Sequence, residues 1–282
     1  MSPNYVITQK QNLSETVVRM EIRAPEIAKR RRAGQFVVLK IDEKGERIPL
    51  TIVDSDAEAG TITIIFQVVG KTTARMAEEM GVGDAFEVVQ GPLGRPTEIE
   101  NFGRVVCVGG GVGVGVIYPI TKALKEAGNE VVSIIGARTK DLVILEDEMA
   151  AVSDRLIVCT DDGSYGFHGF VSVVLEDLIA SGERIDRVFA IGPVPMMKVV
   201  AEVTRPAGIP TIVSLNPIMV DATGMCGACR VSVGGRTRFA CVDGPEFDGH
   251  EVDFDLLTKR LRMYCEQEAE AYERHRCGWH GN

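Results

Sequence analysis

The sequence is short of positive charge: 31 lysines and arginines stand against 40 aspartates and glutamates, which gives a net charge of −9. No basic stripe runs along the chain, and this argues against a nucleic-acid-binding protein. The N-terminal stretch MSPNYVITQK lacks an apolar core. We therefore expect no secretion signal and a cytoplasmic protein.

Long uncharged runs are also scarce. Residues 105–121 carry no charge, but glycines and a proline interrupt them, so a phosphate-binding turn explains this stretch better than a membrane span. The seven cysteines are an odd number without a secretory context, which argues against a disulfide framework. Metal ligation in a reducing compartment is the better interpretation of the cysteines.

The most specific pattern involves three of these cysteines. Asp221, Cys226, Cys229 and Cys241 follow the spacing Asp-x4-Cys-x2-Cys-x11-Cys. Plant-type ferredoxins bind a 2Fe–2S cluster through Cys-x4-Cys-x2-Cys and a distant cysteine, so the aspartate here occupies the first ligand position. We predict a 2Fe–2S site with these four residues as its metal ligands.

Alternatives stay open for this site. Three cysteines and an aspartate could bind zinc, although zinc sites more often contain two Cys-x2-Cys pairs. Asp221 could be a surface residue, with Cys265 or Cys277 as the fourth ligand, but the spacing favours Asp221. Cys277 and His280 have a metal-like spacing too, and such an isolated pair is weak support for a metal site.

The 282 residues exceed one typical domain, and their pattern changes twice. Residues 1–98 contain short β-branched runs and one helix candidate over 72–80 that Thr72 or Thr73 could cap, which predicts a small β-barrel. Strand-like and helical runs alternate over residues 99–215, which predicts a doubly wound parallel sheet. Residues 216–282 contain the cysteine loop and a charged helix from about 254 to 274, which we expect to pack on a partner or another domain.

A glycine turn opens the second domain. Gly110, Gly111, Val112 and Gly113 lie between a predicted strand and a predicted helix, and the N–H groups of a helix N-terminus bind pyrophosphate well. The pattern G-x-G-x-x-G fails in both registers, which indicates a nucleotide loop of another kind than that of the dehydrogenases. A sharp turn without a ligand is the alternative.

Two further loops follow predicted strands in the same domain. Asp161, Asp162 and Gly163 lie in one of them, and Gly192 and Pro193 lie in the other. Because ligands of open α/β sheets bind beyond the carboxyl ends of the strands, three such loops favour a binding crevice. Each could also be an ordinary connection.

The first domain contains a candidate flavin site. Thr51 could hydrogen-bond a flat ring and Arg47 could meet a phosphate; Pro49 and Leu50 lie between them. A second group precedes and opens the helix candidate, where a helix terminus could bind phosphate. It consists of Phe66, Gln67, Val68, Gly70, Thr72 and Thr73. Taken alone, each group could be no more than a turn with a capped helix.

Together these segments resemble the ferredoxin–NADP reductase superfamily. Arg-x-Pro-Leu-Thr at 47–51 is similar to its flavin motif, and Gly-Gly-Gly-Val-Gly at 109–113 is similar to its nucleotide loop. Thr-Asp-Asp-Gly-Ser at 160–164 and Gly-Pro at 192–193 also fit. The cysteine loop restricts the resemblance to electron-transfer subunits of the dihydroorotate dehydrogenase B kind. Asp221 in place of cysteine resembles the small subunits of NADH-dependent reduced ferredoxin:NADP oxidoreductases, also described as sulfide dehydrogenase beta subunits.

The resemblance implies a multidomain β plus α/β fold: an FAD-binding β-barrel, a doubly wound NAD-binding domain and a C-terminal 2Fe–2S domain. NADH would deliver hydride to FAD, and the cluster would pass single electrons to a larger partner subunit in a heterodimer. That partner would carry a second FAD and 4Fe–4S clusters and bifurcate electrons between ferredoxin and NADP. Hydride transfer needs no acid–base pair, so no classical catalytic residue is expected.

Three alternatives to this function remain. The chain could be the electron-transfer subunit of dihydroorotate dehydrogenase B or a hydrogenase diaphorase subunit, and Asp221 argues against the first. In another class, it could be a zinc-stabilised regulatory module that binds a nucleotide.

Arg138 stands near the expected adenosine ribose, where an arginine could favour the 2′-phosphate of NADP. The resemblance favours NAD(H), which we expect as the substrate.

Overall fold

An antiparallel sheet forms the N-terminal part of the molecule. A computed structural model describes residues 5–277 of the 282-residue chain. The strands of this sheet in that range are β1 (Ile7–Asn12), β2 (Val17–Arg23), β3 (Phe36–Lys40), β4 (Ile48–Asp56), β5 (Thr61–Gln67) and β6 (Val88–Leu93). They lie in the order β1-β2-β5-β4-β3-β6. The short helix α1 (Pro25–Ala28) and the helix α2 (Lys71–Glu79) interrupt them.

Strand β3 is apolar on both faces, and the two faces serve different cores. Successive side chains of a strand point to opposite sides of the sheet. Val37 and Leu39 lie in the core of the antiparallel sheet. Phe36 and Val38 pack instead against the segment that contains the cysteine loop. β3 therefore joins the first sheet to the C-terminal segment.

A parallel sheet follows in the chain. Its strands are β7 (Arg104–Gly110), β8 (Glu130–Ala137), β9 (Arg155–Thr160), β10 (Phe167–His168), β11 (Arg187–Ile191) and β12 (Thr211–Ser214). The helices between them are α3 (Gly113–Glu126), α4 (Glu146–Ala151), α5 (Val171–Ala180) and α6 (Val194–Thr204). The strand order is β10-β9-β8-β7-β11-β12, so the order reverses between β7 and β11.

Both faces of the parallel sheet are covered. Val105 and Cys107 of β7 pack with α3 and α4, whereas Val106 and Val108 pack with α5 and α6. Such a sheet is the doubly wound sheet that the sequence predicted, and ligands of these sheets bind where the strand order reverses.

The C-terminal segment joins the other two parts. It contains a hairpin of β13 (Arg230–Val233) and β14 (Arg236–Phe239), then α7 (Ala240–Asp243), β15 (Glu246–Asp248), α8 (Phe254–Leu261) and α9 (Cys265–Arg276). β15 pairs antiparallel with β12 and so extends the parallel sheet. The division of the chain at residues 98 and 215 stays a prediction.

Two predicted local features differ in the structure. The charged helix predicted over 254–274 is two helices, α8 and α9, separated by residues 262–264. α8 packs on α6 and β13, while α9 turns away and contacts α2 of the antiparallel sheet. Gly70, not Thr72 or Thr73, is the N-cap of α2; the hydroxyl of Thr73 accepts the N–H groups of Val69 and Gly70 from the third helical position.

Within residues 5–277 no helix is both long enough and apolar enough to cross a membrane.

Candidate functional site

A cavity of about 1060 Å³ lies where the two sheets and the C-terminal segment meet. Its volume is at the upper end of the range for sites that enclose a cofactor. From the antiparallel sheet it is lined by Thr16, Val17, Phe36, Pro49, Thr51 and Gln67. The C-terminal ends of the parallel strands and the residues after them supply most of the remaining lining, which places the cavity at the reversal of strand order.

The cavity brings together many of the residues predicted from the sequence. Those that line it are Pro49, Thr51, Gln67, Gly110, Gly111, Val112, Gly113, Arg138, Asp161, Gly192 and Pro193. The others do not line it: Arg47, Leu50, Phe66, Val68, Gly70, Thr72, Thr73, Asp162 and Gly163. Their roles in cofactor binding stay predictions.

Strand alternation explains why neighbours in one motif separate. Pro49 and Thr51 of β4 face the cavity, whereas Leu50 between them packs against the core of the antiparallel sheet. In β5, Gln67 lines the cavity and Phe66 is buried in that core.

The phosphate-type contacts predicted at α2 lie outside the cavity lining. The hydroxyl of Thr72 donates to the carboxylate of Glu46, beside the N-terminus of α2. Arg47 Nη1 reaches Gln90 Oε1 at 3.5 Å and is otherwise exposed. A phosphate at this end of α2 would meet a helix N-terminus, but also the carboxylate of Glu46.

The glycine turn brings the N-terminus of α3 against the end of β11. A Cβ on Gly113 would overlap the carbonyl oxygen of Ile191, and one on Gly110 would overlap the sulfur of Met196. Gly111 has a φ of +55° and open space beside it, and its N–H donates to Gly136 at 2.8 Å. The turn therefore leaves backbone, rather than side chains, facing the cavity at this point.

The loops after β8 and β9 add charge to the cavity. Arg138 is exposed, and no carboxylate among residues 5–277 forms an ion pair with it. Asp161 also lines the cavity. Asp162 instead accepts the N–H and the hydroxyl of Ser164, at 2.9 and 2.6 Å, and these bonds lower the pKa of Asp162. Asp162 therefore holds the loop in shape while Asp161 faces the ligand space.

The cysteine loop lies beside the cavity and supplies a donor set suited to iron. Cys229 and Cys241 are buried with their sulfurs 3.2 Å apart, while Cys226 is exposed. The carboxylate of Asp221 accepts the N–H groups of Thr223 at 2.8 Å and Cys226 at 3.1 Å, and these bonds lower the pKa of Asp221. Burial, together with the neighbouring Cys229, raises the pKa of the Cys241 thiol to about 12, so a metal would have to displace its proton.

No three His, Cys, Asp or Glu side chains within residues 5–277 converge on one metal position. A 2Fe–2S cluster does not require this, because its two irons share four protein ligands as two pairs. Cys229 with Cys241 forms one close pair, and Asp221 with Cys226 forms the other side of the loop. The donors fit a two-iron cluster better than a single zinc ion, which needs all four ligands around one centre.

The alternative ligands lie elsewhere. Cys265 and Cys277 are exposed at the two ends of α9, the helix that contacts α2. His280, the proposed partner of Cys277, lies outside the described residues.

Sequence analysis missed the residues between the cavity and the cysteine loop. Phe36, Met219 and Pro245 line the cavity; Phe36 also belongs to the apolar cluster that contains Cys229 and Cys241, and Met219 packs against that cluster. The only available signal was the sequence of β3, Phe-Val-Val-Leu, which is apolar at both odd and even positions. Such a run indicates a strand that is buried on both faces.

Comparisons with known proteins agree with this geometry. The family model of the iron–sulfur cluster binding domain of dihydroorotate dehydrogenase B matches residues 216–253. A Thermotoga maritima protein named as a homolog of the dihydroorotate dehydrogenase B (NAD(+)) electron transfer subunit is 52% identical over 268 residues, which cover 95% of this chain and 94% of the relative. The electron transfer subunit from Geobacillus thermodenitrificans is 36% identical over 88% of this chain and 96% of its own.

Solved structures extend the likeness to three dimensions. A chain of the NADH-dependent reduced ferredoxin–NADP oxidoreductase, solved for insight into flavin-based electron bifurcation, is 50% identical with a TM-score of 0.92, covering 98% of this chain and 99% of that one. A Neisseria gonorrhoeae ferredoxin NADP+ reductase with bound FAD and NADP is 20% identical with a TM-score of 0.59, over 72% of this chain and 90% of that one. The second likeness concerns the fold alone.

Proposed function

Since the chain belongs to the family of dihydroorotate dehydrogenase B electron-transfer subunits and their homologues, we propose that it is the NAD(H)-linked subunit of an electron-bifurcating ferredoxin:NADP+ oxidoreductase. It is an oxidoreductase subunit with FAD and a 2Fe–2S cluster as cofactors and NAD(H) as substrate. Bound FAD supplies a centre that exchanges two electrons as hydride and releases them singly. The cavity would hold the nicotinamide and the flavin, and the cysteine loop beside it would hold the cluster.

One observation carries this proposal: the cavity and the cysteine loop share a wall. Phe36 borders the cavity and belongs to the same apolar cluster as two of the four predicted metal ligands, Cys229 and Cys241. A nucleotide-binding regulatory protein with a structural zinc would have no need for such closeness. An electron carrier requires it, because its two redox centres must lie near each other.

The residue roles follow from position. Pro49 and Thr51 would lie beside the flavin ring, and the turn with Gly111 and Gly113 would receive the nicotinamide dinucleotide at the N-terminus of α3. Asp221, Cys226, Cys229 and Cys241 would ligate the cluster. In this division residues 1–98 bind FAD, 99–215 bind NAD(H) and 216–282 bind the cluster.

Electrons leave this chain for a larger partner subunit. We assign to that partner a second FAD and 4Fe–4S clusters, and ferredoxin would meet the complex there. The support is that the seven cysteines contain one ferredoxin-type loop and no second Cys-x2-Cys pair. Bifurcation requires further centres, so the partner must supply them.

Anaerobic purification followed by absorption and EPR spectroscopy tests the proposal. We expect flavin and 2Fe–2S bands, bleaching of both by NADH, and an EPR signal of the reduced cluster. A colourless protein with one bound zinc would refute the proposal.

A second candidate is the electron-transfer subunit of dihydroorotate dehydrogenase B. The names of the curated relatives favour it, whereas Asp221 favours the first. Mass spectrometry of the native complex distinguishes the two candidates, because a dihydroorotate dehydrogenase partner would establish the second.

A further inference from the structure

Phe36 separates the cofactor cavity from the cysteine loop. Its side chain is buried, borders the cavity, and belongs to the same apolar cluster as Cys229 and Cys241. Met219 borders the same cavity and packs against the same cluster from the C-terminal segment. We call Phe36 and Met219 the partition, since each borders the cavity and lies in or against the apolar cluster that contains Cys229 and Cys241.

The register of β3 fixes which side chain is in the partition. Phe36 pairs with Thr51 and Val38 pairs with Pro49, so the flavin-facing positions of β4 lie directly beside Phe36 and Val38. Both β3 residues point away from the core that holds Val37 and Leu39. A shift of one residue would place Val37 in the partition and remove the aromatic ring from it.

The ring of Phe36 has little room to move. Gly94 has a φ of +79°, and a Cβ there would lie 2.8 Å from Cε1 of Phe36 and 3.1 Å from Cδ of Pro245. The amide of Gln35 donates to the carbonyl of Gly94 at 2.9 Å and holds that segment in place. Glycine at 94 thus allows the chain to close over the ring on one side.

Hydrogen bonds hold together the two segments that lie on either side of the partition. The N–H of Arg95 donates to the carbonyl of Gly244 at 2.7 Å, and its Nε donates to Val242 at 3.1 Å. The hydroxyl of Thr97 donates to Glu246 at 2.5 Å. These bonds join the segment after the antiparallel sheet, residues 95–97, to the segment after Cys241, residues 242–246.

We propose that Phe36 is a positioning residue that sets the gap electrons cross between the cavity and the cysteine loop. The inference rests on the proposed function, because it requires FAD in the cavity and a 2Fe–2S cluster on the loop. One electron leaves the reduced flavin and one reaches the cluster, and no bond forms or breaks across the ring. Phe36 contributes a buried apolar side chain between the cavity and the loop.

Phe36→Leu tests this in the holoprotein. Leucine keeps the site apolar but leaves part of the ring's volume empty. We expect cluster reduction after flavin reduction by NADH to slow about tenfold, because the empty volume interrupts the packed path between the two centres. Anaerobic stopped-flow absorbance follows the flavin and cluster bands separately. Iron content, the EPR spectrum and the midpoint potential of the cluster are measured on the same preparation.

Phe86→Leu is the matched control. Phe86 is equally buried but lies in the core of the antiparallel sheet, away from the partition. It should lose stability and keep the wild-type rate of cluster reduction. If Phe36→Leu does not fold, Met219→Ala tests the partition from its other side with the same expected slowing.

The outcomes are distinct. Slower cluster reduction with unchanged potential and EPR spectrum supports the inference. An unchanged rate overturns it, as does a slower rate with an altered potential or spectrum, since Phe36 would then only shape the cluster site. If NADH reduces the flavin but never the cluster in the wild-type protein, the proposed function fails and the inference falls with it.

Discussion

The glycine turn and the cysteine loop both contain closely spaced glycines, yet the glycines act differently. In the turn, Gly113 allows α3 to approach the backbone of β11, so the absent side chain creates closeness. In the loop, Gly224 and Gly227 have φ values of +84° and +68°, so the absent side chain permits curvature. The turn presents backbone to its ligand, whereas the loop presents side chains. Function at the nucleotide end should therefore depend on fit, and at the cluster end on side-chain identity.

Asp221→Ala is the strongest test of the cluster end. Removing a direct ligand should cost more than the ~10–100-fold in metal affinity that loss of a supporting residue costs. We expect the cluster to be lost while FAD is retained, measured by iron content, EPR and the flavin band. Cys265→Ala, an exposed cysteine on α9, is the control and should keep its iron. Unchanged iron and EPR in Asp221→Ala would remove Asp221 from the ligand set.

Gly113→Ala is the corresponding test of the nucleotide end. The added methyl would overlap the carbonyl oxygen of Ile191, which is backbone and cannot rotate away. We expect a loss of about 3 kcal/mol of unfolding free energy, at the upper end for overpacking, and weaker NADH binding. Denaturant unfolding and NADH titration measure both.

Gly111→Ala is the control for that change. Gly111 has open space around it, so the methyl adds only left-handed backbone strain, about 1–2 kcal/mol. Equal losses in the two variants would mean that close approach is not the reason for glycine at 113.

Glu246 tests whether a protonated acid helps to join the segment after the antiparallel sheet to the segment after Cys241. Burial raises the pKa of Glu246 to about 7 from an ordinary value near 4.5, and the hydrogen bond from Thr97 opposes that shift without cancelling it. The folded state therefore holds this proton more tightly than the unfolded state, and stability falls as the pH rises from about 4.5 through 7. Glu246→Gln should remove this downward slope, which amounts in total to a change on the order of 1–3 kcal/mol in unfolding free energy over that pH range. Glu251→Gln, an exposed carboxyl of the same segment, should leave that slope unchanged.

Arg138 is expected to give the smallest effect. It is an exposed side chain near a turn that presents backbone to the cavity, so Arg138→Ala should change NADH binding by less than about 1 kcal/mol. Stopped-flow reduction of the flavin should be faster with NADH than with NADPH in the wild-type protein. Faster reduction by NADPH, lost in Arg138→Ala, would reverse the NAD(H) assignment.

Local patterns account for what the sequence predicted well. Both the strand–glycine–helix order of the turn and the spacing of the cysteine loop lie within short stretches of sequence. Their chemistry can therefore be predicted without knowledge of tertiary contacts. The alternation of side chains along a strand limited the prediction of the flavin site. Pro49, Leu50 and Thr51 are neighbours in one sequence motif, but Leu50 points to the opposite face and packs against the core.

Distant contacts account for what was missed. Phe36 and Met219 are far apart in sequence and meet only because β3 and the C-terminal segment pack together. The break between α8 and α9 at residues 262–264 contains no proline or glycine, the residues that usually indicate the end of a helix. It arises because α8 follows the parallel sheet while α9 crosses to α2, a tertiary effect that helical propensity does not encode.

The pairing of β15 with β12 has a consequence for solubility. Without β15, β12 would be the outer strand of the parallel sheet, with a row of unsatisfied N–H and C=O groups able to recruit strands of other molecules. The segment with the predicted metal ligands thus also protects a sheet edge. Chains that fail to fold this segment should associate with one another, so aggregation would accompany loss of the electron carrier.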